Sequence, residues 1–126
     1  LNTHLADRFA TKEPTLCAVC RRHAVWLGYH GGERMPIVWL CDDNKCHAAA
    51  KKVYRMPQSI LDAYEIGAVL EAGADAGKYL EKIGVTDLAA LDAGQWREFL
   101  RRIVTGYEWA LRRKILENEP LEVWKQ

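Results

Sequence analysis

Four cysteines in two close pairs, Cys17 with Cys20 and Cys41 with Cys46, constrain this 126-residue chain more than any other feature. Each pair occupies about one turn of chain, and two such turns brought together supply four thiolates at the tetrahedral spacing that Zn²⁺ prefers. The pattern therefore predicts one structural zinc ion on Cys17, Cys20, Cys41 and Cys46. Sulfur would then fill every position around the metal. With none left open for water, the ion would build the fold rather than carry out a reaction.

The residues between and after the pairs predict what the metal holds together. Ala24–Tyr29 and Pro36–Leu40 are rich in β-branched and aromatic residues, and the glycines of His30-Gly31-Gly32-Glu33-Arg34-Met35 supply a turn between them. After Cys41, the side chains of Asp42, Asp43 and Asn44 can cap a helix running from Cys46 to Arg55, which Pro57 stops. Knuckle, hairpin, then a helix with metal ligands in its first turn is the order of a treble-clef zinc finger. A plain zinc ribbon, with the second pair in another β-turn, is the alternative. The four residues between Cys41 and Cys46 also leave His47 as a substitute ligand for Cys46.

Other uses of the cysteines fit less well. Two disulfides would suit a secreted chain, but no hydrophobic signal segment is seen, and a chain of this length can bury a core without cross-links. A thioredoxin-like Cys17–Cys20 pair would open a helix after a strand, whereas here it follows the loop Lys12-Glu13-Pro14-Thr15. No apolar run approaches the roughly 18 residues of a membrane span, so the expected setting is the cytoplasm, without membrane contact.

Beyond Pro57 the pattern is helical. Ile60, Leu61, Tyr64, Val69, Leu70, Tyr79, Leu80 and Ile83 recur at helical intervals, with Ser59 as a cap. Gly73 and Gly77 predict a break or kink, or else a close helix contact. A short helical turn follows near Leu88, capped by Thr86 or Asp87. Asp92 and Gln95 form a capping-box-like pair ahead of an apolar stripe from Trp96 to Ile115, with Arg97, Arg101, Arg102, Arg112 and Arg113 mostly off the stripe. Trp26, Trp39, Trp96 and Trp109 are placed to meet in a core, and Leu5 and Phe9 suit a short N-terminal helix. The predicted class is α+β and mostly α. Residues 1–57 form a zinc module with that short helix, and residues 58–126 form a helical region sharing one core with it.

Cys17-x-x-Cys20, Trp39-Leu40-Cys41 and Cys46, followed by Ala76-Gly77-Lys78-Tyr79-Leu80, Thr86-Asp87-Leu88 and Trp96-x-x-Phe99 through Tyr107, resemble small zinc-binding proteins encoded by phages and prophages. The resemblance implies an accessory role in DNA metabolism or in countering host defence. It assigns no reaction and carries over no catalytic residue.

Net charge is only +1, but residues 1–57 hold nine Lys or Arg against five Asp or Glu, and residues 58–126 hold nine against twelve. The basic half suggests a nucleic-acid face of Arg21, Arg22, Lys51, Lys52 and Arg55 on the finger, with Trp26, Tyr29 or Tyr54 stacking on bases. The alternative is a protein-interaction module that inhibits or adapts a host complex, anti-CRISPR proteins being one such type, and self-association is allowed for. A remote third reading is an HNH-like nuclease, for which His30, Asn44 and His47 offer the residue types. The expected protein is not an enzyme.

Overall fold

The computed structural model describes residues 15–33 and 37–120. The expected N-terminal helix lies outside these residues. The elements in order are strands β1 (Leu27–His30) and β2 (Ile37–Leu40), helix α1 (Asn44–Arg55), helix α2 (Gln58–Ile83), a 3₁₀ turn (Leu88–Ala90) and helix α3 (Ala93–Glu117). The described residues are thus mostly helical, with one small antiparallel hairpin, as an α+β chain should be. No described helix is long and apolar enough to cross a membrane.

The hairpin pairs Leu27 with Leu40 and His30 with Ile37. It is shorter than the β-rich run suggests: Trp26 takes a left-handed φ of 65°, so although Val25 N–H still donates to Leu40 O, the regular ladder begins only at Leu27. A Cβ on Gly31 would run into the Tyr54 ring, so only glycine lets this turn pass over α1. Tyr54 in turn packs edge-on to Tyr29, with ring centroids 5.3 Å apart.

Helix α1 starts where the acidic cap residues imply. Asp43 is the N-cap, and its carboxylate accepts from Lys45 N–H at 2.8 Å. Cys46, Ala49, Ala50, Val53 and Tyr54 are buried, at the i, i+3, i+4, i+7, i+8 spacing of one helical face. Helix α2 has Pro57 as its N-cap, without a side-chain cap; Ser59 lies inside the first turn instead. Proline suffices there because its fixed φ leads into the helix and its missing N–H would have gone unpaired anyway.

Gly73 and Gly77 do not break α2, which runs unbroken for 26 residues. Nor do they make a close contact, since a Cβ on either would meet nothing within 4 Å. Close packing comes from the opposite face, where Ala68, Ala72 and Ala76 are buried. A Cβ on Gly106 of α3 would sit 3.1 Å from Ala72 Cα, which shows how tightly the two helices approach. Gly84 ends α2 at φ 71°, with Val85 N–H donating to Leu80 O, a left-handed C-cap that glycine adopts without strain. Asp92 and Gln95 complete a reciprocal capping box at the start of α3.

One apolar cluster links the cysteines, Val38, Leu40 and the buried face of α1 to Leu61, Tyr64 and Ala68 of α2 and Leu111 and Ile115 of α3. The tryptophans do not fill it. Trp26 is 69% exposed, Trp109 57% and Trp96 44%. Their rings lie on the surface, where Trp26 packs edge-on to Trp39 and Trp96 stacks on Phe99. Short side chains, not aromatic ones, allow the helices to close.

Candidate metal centre

The first cysteine pair lies on a tight knuckle. Arg21 adopts φ 71°, its N–H donates to Cys17 O, and Cys17 N–H donates to Arg22 O at 2.6 Å. An isolated bridge pairs Leu16 with His23 across the same turn. Val19 N–H points at Cys17 Sγ at 3.4 Å, so the backbone already offers a donor to that sulfur. Ala18 N–H donates to Trp39 O and Val25 N–H to Leu40 O, which fixes the knuckle against β2 just before Cys41. The first turn of α1 then supplies Cys46, whose N–H is held by Asp43 O at 3.0 Å.

These three local structures bring the four sulfurs together. Cys17, Cys20, Cys41 and Cys46 are each 0% exposed, and their Sγ atoms all lie within 4.8 Å of one another. All four are free rather than disulfide-bonded. A tetrahedron with metal–sulfur bonds of about 2.3 Å has edges of about 3.8 Å. Cys20 Sγ and Cys41 Sγ stand 3.7 Å apart, so this pair needs almost no movement to share one ion. Four cysteines this close can hold one metal ion. His47 does not replace Cys46: its Nε2 is 2.9 Å from Cys41 O, and no histidine among the described residues joins the sulfur cluster.

The electrostatics of the cluster follow from crowding four thiols without water. Hydrogen bonds from Cys20 and then Cys46 hold the Cys17 thiol far below its usual range. Cys17 in turn pushes Cys20 up to about 11 and raises Cys46 strongly, with burial adding to both. A divalent cation is the group that would let all four ionise together.

A cation does reach the cluster, from the far end of the chain. Arg112 of α3 is 3% exposed, and its Nε donates to Cys46 Sγ at 3.1 Å while Nη1 lies 3.5 Å from Asp43 Oδ2. Burial alone would lower the Arg112 pKa. The hydrogen bond to Cys46 and that sulfur's charge outweigh burial and raise it. No periodicity in the sequence marks this residue, since it falls beside the apolar stripe of α3. The one sequence signal is chemical: four thiolates on a divalent ion carry −2 and call for a nearby cation.

Residues 60–120 match the model of DUF6511, a family of unknown function. The match takes in most of α2, the 3₁₀ turn and all of α3, including Arg112, and it leaves out the four cysteines. No curated protein and no solved structure matches the chain. The DUF6511-like stretch is therefore the helical hairpin, and the cysteine module is packed on it.

The five basic residues of the expected nucleic-acid face are not equally available. Arg21 donates to Ala18 O and pairs with Glu65 of α2 at 2.8 Å, leaving its side chain 12% exposed. Lys52 donates to Leu116 O at 2.5 Å. Arg22, 3.7 Å from Asp42, is exposed, as are Lys51 and Arg55 on α1. Tyr54 is buried against Tyr29 rather than presented as a stacking platform.

A second charged cluster, which the sequence pattern does not reveal, lies within the DUF6511-like stretch. Lys114 is 1% exposed, with Nζ 2.7 Å from Glu71 and 2.5 Å from Glu119. Arg113 holds both Glu71 oxygens, at 2.6 and 2.8 Å, and reaches Glu119 at 3.3 Å. Tyr64 O–H donates to Glu119 O at 2.9 Å, so the same group of residues ties the end of α3 back to α2.

Proposed function

We propose that this is a non-enzymatic zinc protein in which Cys17, Cys20, Cys41 and Cys46 hold one structural ion in a treble-clef-like module, and the α2–α3 hairpin binds a protein partner. Soft thiolates in a closed four-sulfur shell favour Zn²⁺ over harder divalent ions and leave no position for a reacting water. The observation that carries the partner reading is the apolar surface of the hairpin. Ile66, Val69 and Leu70 of α2 and Trp96, Leu100 and Val104 of α3 are each between 41% and 61% exposed. Val69 and Val104 line one cleft with Ile103 and Tyr107, so at that point exposed apolar residues of the two helices adjoin. Apolar surface left exposed on both helices and shared across such a cleft is the chemistry of an interaction site.

Nucleic-acid binding is the second reading, and exposed Arg22, Lys51 and Arg55 favour it. It ranks below the first because Arg21 spends its charge on Glu65 and the exposed Lys52 is held by Leu116 O. A phage or prophage setting, a cytoplasmic location and action against a host defence complex form the finer part of the proposal, supported by the short motifs shared along the chain.

Two experiments test the proposal. Metal analysis should find one zinc per chain, and chelation or Cys17→Ser should unfold the cysteine module, seen as loss of near-ultraviolet circular dichroism, because structural zinc supplies folding free energy. A photo-crosslinking residue at 69 or 104 should trap a protein, while one at Glu81 should not. Steeply salt-dependent binding to DNA or RNA between about 50 and 200 mM, lost when Arg22, Lys51 and Arg55 become Ala, would reverse the ranking.

A further inference from the structure

Arg112 is the one arginine among the described residues that is buried, and it is buried against sulfur. A guanidinium removed from water needs strong acceptors, and here it has Cys46, Cys20 and Asp43, with the Trp109 ring and the charge of Glu108 also near it. Asp43 Oδ2 lies 3.5 Å away, while its Oδ1 is engaged in capping α1 through Lys45 N–H. The Trp109 ring centroid is 5.8 Å from the guanidinium carbon and offers only a weak cation–π contact. The closest acceptor is Cys46 Sγ, at 3.1 Å from Nε. A neutral thiol is a poor acceptor, whereas a metal-bound thiolate is a good one and is itself in need of a donor.

The geometry points to Arg112 as the outer-sphere partner of the metal centre: its Nε–H holds Cys46 as a metal-bound thiolate and offsets part of the −2 charge of four thiolates on a divalent ion. This rests on the metal reading above. Because Arg112 sits in the last third of α3, metal loading in the cysteine module and seating of the DUF6511-like hairpin become one event. By linkage, whatever stabilises the seated hairpin tightens the metal, and the metal stabilises the seated hairpin. The surface proposed for the partner is carried by that same hairpin.

The test uses the full chain loaded with Co²⁺, whose visible bands report tetrahedral coordination and whose thiolate-to-cobalt charge-transfer band reports the donor strength of the sulfurs. Arg112→Met should lower Co²⁺ affinity, measured by chelator competition, by about 10- to 100-fold. It should also move the charge-transfer band to lower energy, because a sulfur without its N–H donor gives up electron density more easily. Arg112→Lys keeps the charge but not the Nε reach, so it should fall between the two, and it carries the test if Arg112→Met does not fold. Lys114→Met, equally buried on the same helix but facing Glu71 and Glu119, should leave the band where it is. Wild-type affinity and band position in the Arg112 variants would overturn the inference alone. A wild-type chain without a four-thiolate cobalt spectrum would overturn the metal reading and the inference together.

Discussion

The Lys114 cluster predicts an asymmetry that can be worked out from exposure alone. The ammonium is 1% exposed, whereas its partners Glu119 and Glu71 keep 20% and 44% of their side-chain surface in water. Removing the lysine as Lys114→Met keeps most of the buried volume and strands no buried charge. Glu71 and Glu119 still have Arg113, at 2.6 and 3.3 Å, and water. Two charge-assisted hydrogen bonds are lost, but the desolvation penalty of a buried ammonium is recovered, so the net cost should be about 1–2 kcal/mol. Removing the carboxylates as Glu71→Gln with Glu119→Gln takes these two countercharges from the buried ammonium and should cost about 3–5 kcal/mol. Urea unfolding of the full chain, followed by far-ultraviolet circular dichroism and extrapolated linearly, measures both. A lysine substitution more costly than the paired glutamate substitution would refute the reasoning, as would a paired substitution costing under about 1 kcal/mol.

Three more predictions follow from local geometry. Burial alone would raise the Glu119 carboxyl, but Lys114 and Arg113 outweigh it and hold the group below its ordinary value, so its contribution to stability is present above pH 4.5 and lost as pH falls below it; Glu119→Gln should flatten the acid limb of urea midpoint against pH, and an unchanged limb would sink this assignment. Gly31→Ala should cost about 1–3 kcal/mol by overpacking, since its Cβ would run into Tyr54; wild-type stability would mean the turn does not cross α1 as described. Asp92→Ala should cost about 1 kcal/mol through loss of the capping box, and Asp92→Asn, which keeps a capping oxygen, only a few tenths of that, both read from thermal midpoints.

Features built from neighbouring residues are legible in the sequence. The two cysteine pairs, Asp43 as the cap that places Cys46 in a first turn, the Asp92–Gln95 box and the Gly84 stop each act within about one turn of chain, where residue type fixes the backbone. The alternation and helical spacing likewise imply one small hairpin and long helices. They overstate the length of the first strand and place a kink at Gly73–Gly77, because glycine's weak helix propensity yields to packing on the far side of the same helix.

What the sequence by itself determined is the chemistry of the candidate metal ligands and the starts and stops of the helices, since both depend on residues a few positions apart. The tertiary structure decided which charged side chains are buried. Arg112 reaches Cys46 across 66 positions of sequence, and Lys114 reaches Glu71 across 43, only because α3 crosses α1 and α2 at one rotation about its axis. Periodicity defines an apolar stripe to within about one residue, while a buried ion pair depends on a few ångströms of register between helices far apart in the chain. The same rotation left Trp109 and Val104 in water and set Ala72 against Gly106.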